Sequence, residues 1–315
     1  MKSCIVLDDY QGVALTYGDW LRLAGRVQVE SIREHIPDED ALVARIAPAE
    51  IVVIMRERTP FPARLFARLP KLELLVTTGM RNASIDLAAA GGVVVCGTVG
   101  SSVPPMELTW ALILDLARHV VTENDAFRHK GAWQSTIGVD LHGRTIGLIG
   151  LGKIGTMMAR VAGAFGMRVA AWSPHSTEER ASAAGAQLMT KQTLLESSDF
   201  VSIHLVLAPS TRGLIGEADL RRMKPSAFLI NTSRAPIVDQ AALLRALEER
   251  WIAGAGLDVF DVEPLPHDHP FRRLPNVLAT PHLGYVSEDN YRAYFNHAVE
   301  DIEAWLGGEP VRRLA

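Results

Sequence analysis

The chain has 315 residues, of which 48% are hydrophobic and 22% charged, and a formal net charge of −4. This length favours two domains over one, and the composition is that of a globular protein rather than a fibrous or disordered one. The mild acidity and the lack of a long basic run exclude an electrostatic case for nucleic acid, and no apolar run reaches the ~20 residues of a membrane span.

The N-terminal stretch MKSCIVLDDY has one Lys and a short apolar run that stops at Asp8 and Asp9, so it reads as a first strand rather than a signal peptide. VQVESI, IVVIM, LELLVTT and VVVC are further strands. Between them lie helical segments near residues 14–24, 38–47, 61–69 and 85–91. Strand alternating with helix predicts a parallel sheet with right-handed crossovers. Residues 1–99 therefore read as one α/β unit, closed by Gly97, Gly100, Pro104 and Pro105 as a linker. Cys4 and Cys96 fall inside strands without metal-ligand spacing, which predicts no metal and a reduced, cytoplasmic protein.

One long helix is expected from about Met106 to Arg128. Then comes GRTIGLIGLGKIGTMMARVAGAFG, from Gly143 to Gly166. Its apolar strand Thr145–Ile149 stops at Gly150, and Gly150, Gly152 and Gly155 stand in the spacing G-x-G-x-x-G before a helix. The helix is expected to set Ile154, Met157, Met158, Val161 and Phe165 on one side, with Ala159, Ala162 and Ala164 between. The glycines give a tight turn, close approach of backbone to a pyrophosphate, and close helix–strand contact, and amides at the helix start hold phosphate without a basic side chain. A strand–helix turn in some other α/β domain is the plainer alternative.

A second alternating series follows, with RVAAW, FVSIHLV, AFLINTS, AGAGLDV and NVLAT as strands. GEADLRRM and DQAALLRALEERW are helices, the latter N-capped by Asp239. A last helix runs from about Ser287 to Leu306 and ends at Gly307-Gly308. It comes after the second series has finished, so the chain is expected to return to its first domain. Ligands of such sheets bind beyond the carboxyl ends of the strands. Two sheets facing each other would form a cleft, with residues 98–104 and 284–288 as hinges of a domain-closing enzyme.

Polar groups stand at those strand ends: Asn231-Thr232-Ser233-Arg234, then Asp258 with Glu263 after it, then Thr280-Pro281-His282-Leu283-Gly284. An Arg, a carboxylate and a His suit redox chemistry on a 2-oxo acid. Reduction needs a hydride on carbon and a proton on oxygen; His delivers protons near neutral pH, a carboxylate orients the imidazole, and the Arg fork holds the acid. Singly each has a plainer explanation, as a solvated Arg, a loop His or a turn Glu before Pro264. The three together behind a dinucleotide turn favour the catalytic reading. No G-x-S-x-G elbow, H-E-x-x-H or Walker pattern is present, so hydrolase, metalloprotease and P-loop readings have no support.

GLIGLGKIG, HLVLAPSTRGLIG, MKPSAFLINTSRAPIVD, AGLDVFDVEPLP and LATPHLG, in this order, resemble the D-isomer-specific 2-hydroxyacid dehydrogenases, among them phosphoglycerate dehydrogenases and glyoxylate/hydroxypyruvate reductases. The resemblance implies two Rossmann-like domains: a flavodoxin-like substrate domain of residues 1–99 plus 286–315, and a doubly wound cofactor domain of residues 100–285. It implies that Arg234 binds the substrate, that Glu263 pairs with His282, and that His282 is the acid/base. Cofactor contacts are implied at Gly150, Gly152, Lys153, Ile154, Gly155, Ser173, Pro174, His204, Thr211, Thr232, Ser233, Asp258 and Gly284, with Asp258 near the nicotinamide carboxamide. The substrate loop Thr77–Asn82 would receive the acid on its backbone amides, at Thr78, Gly79 and Met80. A homodimer through the cofactor domain and the helix at 106–128 is also implied. No appended regulatory domain is expected after residue 315.

Three departures bear on these expectations. Ala235 follows the arginine where the family commonly has Gly, and Pro236 should bias it toward extended geometry. Ser173 stands where NAD enzymes place an acidic residue against the ribose, with His175 and Arg180 nearby; the reading leans to NAD and leaves NADP open. Arg81 in the substrate loop and Arg56 after the neighbouring strand are candidates for a second polar or anionic group of the substrate, although an outward Arg paired with Glu57 is an equal alternative. A dinucleotide-sensing, corepressor-like binding protein on the same fold is the reading from another class. The sequence leaves the 2-hydroxy acid itself open.

Overall fold

The computed structural model describes residues 1–315. The chain forms two compact units, Met1–Ser101 with Val286–Ala315, and Ser102–Tyr285.

The first unit carries five parallel strands, β1 (Lys2–Val6), β2 (Val27–Ser31), β3 (Ile51–Ile54), β4 (Leu74–Thr77) and β5 (Val94–Gly97), in the order β2-β1-β3-β4-β5. This is the flavodoxin-like order, and its reversal lies between β1 and β3. IVVI and LLVT are buried along their whole length, as expected of strands covered on both faces. The helix Glu288–Leu306 lies against β4 and buries Tyr291, Tyr294, Phe295, Ala298, Val299 and Ile302. Each large side chain among them contributes roughly 1.5–3 kcal/mol. After it the chain runs back along β5, with the Gly97 amide donating to the Arg312 carbonyl at 3.0 Å and the Leu314 amide to that of Val95 at 2.7 Å. Arg312 Nε meets the buried Asp301 at 2.9 Å. Burial pushes the Asp301 carboxyl up to about 7, against the pull of Arg312.

The second unit carries seven parallel strands, β6 (Thr145–Ile149), β7 (Arg168–Trp172), β8 (Gln187–Leu188), β9 (Phe200–Ile203), β10 (Phe228–Asn231), β11 (Gly254–Leu257) and β12 (Val277–Ala279). Their order, β12-β11-β10-β9-β6-β7-β8, is doubly wound with its reversal between β6 and β9. Both units are thus Rossmann-like.

Three expectations need correction. The long helix at 106–128 is two helices, Val103–Arg118 and Val120–Arg128, because His119 is left-handed (φ 53°). Asp115 holds the break, its carbonyl accepting the His119 amide and its carboxylate that of Val121 at 2.6 Å. Pro104 and Pro105 belong to the first turn of the first helix, where their missing N–H groups have no intrahelical acceptor to lose. In the helix Lys153–Ala164, the buried residues are Gly155, Met158, Ala159 and Ala162. Small residues let it approach the sheet closely, while Ile154 and Val161 flank that contact and Phe165 reaches out to pack on Trp110 at 5.1 Å.

Candidate active site

The turn from β6 into the helix Lys153–Ala164 sets three glycines to separate tasks. Gly150 is left-handed (φ 107°), and a Cβ there would stand 2.5 Å from the His204 carbonyl oxygen. A Cβ on Gly155 would collide with the Gly150 carbonyl. At Gly152 a Cβ would meet no atom within 4 Å, so packing does not require glycine there. What Gly152 leaves is open space at the start of a helix of 12 residues, beside Lys153 and Ile154. A pyrophosphate fits that cradle.

At the end of β9, His204 sets Nε2 against the Ser202 hydroxyl at 2.8 Å, and burial of the ring pushes its pKa down to about 4. Thr211 is spent on its own loop: its hydroxyl accepts the Ala208 amide and lies 2.8 Å from the Val206 carbonyl. At the end of β10, the Asn231 amide group donates to the Arg234 carbonyl, and its oxygen accepts the Ser233 amide. Ser233 Oγ donates across to the Ile203 carbonyl at 2.7 Å, and Thr232 Oγ1 meets Thr109 Oγ1 at 2.7 Å. The turn is thus pinned on both sides. Arg234 itself is extended (φ −146°, ψ 133°) and half-buried, with Nη1 on the Ser233 carbonyl at 2.8 Å. Ala235 opens a 3₁₀ turn rather than an extended segment, because the Val238 amide closes onto its carbonyl at 2.9 Å.

Asp258, at the end of β11, is fully buried. One oxygen accepts Thr280 Oγ1 at 2.6 Å and the Leu283 amide at 2.7 Å, and the other accepts the Gly284 amide at 2.9 Å. Burial raises its carboxyl above the ordinary range, opposed by the Thr280 hydroxyl and the Leu283 amide. Those three donors bracket His282, which is left-handed (φ 54°), a conformation a non-glycine residue keeps only when its surroundings impose it. The structure brings His282 and Glu263 together: Nδ1 to Oε2 is 2.7 Å, and the other Glu263 oxygen accepts the Phe260 amide at 2.9 Å. Tyr285 lies edge-on to the imidazole at 5.7 Å between centroids. Beyond β7, Ser173 is half-buried and Pro174, His175 and Arg180 are exposed, while Thr177 caps a short helix that opens with Glu178 and Glu179.

In the first unit, the Gly79 amide donates to Thr98 Oγ1 at 3.0 Å, whereas the amides of Met80 and Arg81 make no hydrogen bond within the chain. Thr78 Oγ1 accepts the Arg56 amide at 2.8 Å. The Arg56 guanidinium lies where a Cβ of Gly79 would be. Arg81 is exposed and tied to nothing. The sequence reading named Asn82 and Thr280 only as members of their stretches, and it passed over Thr109, whose hydroxyl meets that of Thr232. Thr280 was legible, since it directly follows a strand and stands two residues before the His; Thr109 was not, being one more residue inside a helix.

The family model "D-isomer specific 2-hydroxyacid dehydrogenase, NAD binding domain" matches residues 110–284. The glyoxylate reductase of Korarchaeum cryptofilum is 36% identical over 87% of this chain and 84% of its own. The chain belongs to this dehydrogenase family. The D-3-phosphoglycerate dehydrogenase of Bacillus subtilis is 35% identical over 90% of this chain but only 54% of its own length. The structure of a phosphoglycerate oxidoreductase from Vibrio cholerae superposes with a TM-score of 0.93 at 36% identity, covering 98% of this chain and all of that one. As a member of the D-isomer specific 2-hydroxyacid dehydrogenases, the chain is an oxidoreductase that binds a nicotinamide dinucleotide. No helix is long and apolar enough to cross a membrane.

Proposed function

We propose that this chain interconverts a 2-oxo acid and its D-2-hydroxy acid, with His282 as acid/base, Glu263 as its orienting partner and Arg234 as the substrate-binding cation. The bound dinucleotide supplies or accepts the hydride. The observation that carries the proposal is the 2.7 Å contact of His282 Nδ1 with Glu263; in this reading Nε2 is the atom that exchanges the proton. Asp258 supports the same chemistry by holding the turn that keeps His282 left-handed. Arg234 offers a planar fork on a turn fixed by Asn231 and Ser233, so little freedom is lost when it takes the carboxylate. The open amides of Met80 and Arg81 are further donors for the acid, and Arg56, held against Gly79, is the side chain for a second polar or anionic group.

NAD is the proposed cofactor. Ser173 carries no charge to attract or repel a 2′-phosphate, and Glu178 and Glu179 add negative charge within six residues of it. A homodimer through the second unit is proposed from the apolar surface of Val120, Val121, Phe127, Trp133 and Ile137, each more than half exposed. The deciding experiment follows NADH and NADPH absorbance with glyoxylate, hydroxypyruvate, phenylpyruvate and phosphohydroxypyruvate. Turnover of at least one acid with NADH supports the reading; binding of the dinucleotide with no turnover of any acid overturns it.

A further inference from the structure

We infer that Asn82 is a positioning residue for Arg56, and through it a determinant of which acids the enzyme selects. The inference rests on the reading of Arg56 as a substrate contact. Arg56 follows β3 in the left-handed conformation (φ 51°), which is uncommon for a side chain of this size. Both of its main-chain polar groups are tied to the segment that leaves β4. Its amide donates to Thr78 Oγ1 at 2.8 Å, and its carbonyl accepts Asn82 Nδ2 at 2.6 Å. The second Nδ2 hydrogen goes to Thr77 Oγ1 at 2.9 Å. Asn82 Oδ1 accepts both the amide of Ser84 at 2.9 Å and its hydroxyl at 2.6 Å.

A carboxamide has two donor hydrogens and two acceptor lone pairs, and here all four are used inside the protein. Asn82 therefore fastens the loop after β3 to the loop after β4. The consequence falls on the guanidinium, which lies in the space beside the Gly79 Cα, with Nη1 3.4 Å from the Thr78 carbonyl. Its Nε is buried without a hydrogen-bond acceptor, and the nearest carboxylate oxygen, on Glu57, is 3.7 Å away. Its own two contacts, to the Thr78 carbonyl and to Glu57, are both long, so its backbone does most to aim it. Once Asn82 releases the carbonyl, Arg56 relaxes toward extended geometry and the guanidinium leaves Gly79.

A double-mutant cycle on the full chain tests this, using the acid turned over best in the panel above. Asn82→Ala is expected to raise KM for the acid on the order of tenfold with kcat within about threefold, and to change KM less than about twofold in an Arg56→Ala background. Asn82→Asp, equal in size but unable to donate to the Arg56 carbonyl, should match Asn82→Ala; wild-type behaviour would mean that volume alone matters and overturn the inference. An equal effect of Asn82→Ala in both backgrounds also overturns it. If Arg56→Ala leaves KM unchanged, the reading of Arg56 has failed instead, and the two failures are told apart. Should Asn82→Ala fail to fold, Thr78→Val removes the other tether and is expected to show the same coupled rise.

Discussion

His282 Nδ1 and Glu263 Oε2 lie 2.7 Å apart, and the second oxygen of that carboxylate is fixed by the Phe260 amide. The imidazole is therefore held at Nδ1, and in the proposed mechanism Nε2 exchanges the proton. His282→Ala should lower kcat on the order of 10²–10⁴-fold while leaving dinucleotide affinity intact. Glu263→Gln, which keeps an acceptor and loses the charge, should give a smaller fall. Stopped-flow turnover beside a fluorescence titration of the dinucleotide reads both, and near-normal turnover of the histidine variant would sink the assignment.

Gly152 offers a separate test of the cofactor cradle. Its backbone is in a region open to any residue (φ −84°, ψ −155°), and an added Cβ meets no protein atom within 4 Å. Gly152→Ala should leave the unfolding midpoint unchanged and weaken the dinucleotide by about tenfold or more. Unaltered affinity in that variant would place the phosphates elsewhere.

Ser173 bears on the choice of nicotinamide. Ser173→Asp should leave the NADH KM within a few-fold and raise the NADPH KM by on the order of tenfold, because a carboxylate at that strand end repels a 2′-phosphate. Parallel initial-rate measurements with the two reduced cofactors decide it; an equal change for both would remove Ser173 from the ribose site.

His204 predicts an acid-side loss of stability. Burial lowers its folded pKa from 6.5 to about 4. Between those values the unfolded chain takes up a proton that the folded chain refuses, so this residue's contribution is complete above pH 6.5 and declines as pH falls toward 4. The ceiling is roughly 1.4 kcal/mol per pH unit across that window. Urea midpoints of wild type and His204→Gln at pH 7 and pH 4.5 should diverge, with the wild type losing more; parallel losses would refute it.

Much of this was legible in one dimension. β6 and β7 fall on their sequence-predicted ranges because buried parallel strands are short, continuous apolar runs that stop at Gly150 and Ser173. Asp239 caps its helix as expected, accepting the Ala242 amide at 3.0 Å. The two-residue β8 escaped notice, being shorter than any periodicity can register. The break at His119 escaped too, since no Gly or Pro marks it and the Asp115 carboxylate that stabilises it bridges six residues. Of the proposed site, Arg234, Glu263 and His282 could be picked out because the proposed chemistry asks for those residue types at strand ends. Asn82 could not: its importance lies in whom it bonds, and a polar residue in a polar loop carries no such mark.

The return of residues 286–315 to the first unit also sets an order of assembly during synthesis. Unit Ser102–Tyr285 is continuous and can complete its sheet as soon as it has emerged. The earlier-made strands β1 to β5 must wait for the helix Glu288–Leu306 to cover β4 and for Arg312–Ala315 to run along β5. Until then β5 is a bare edge, a template for pairing with other nascent chains. The unit whose strands are made first is thus the unit that finishes last.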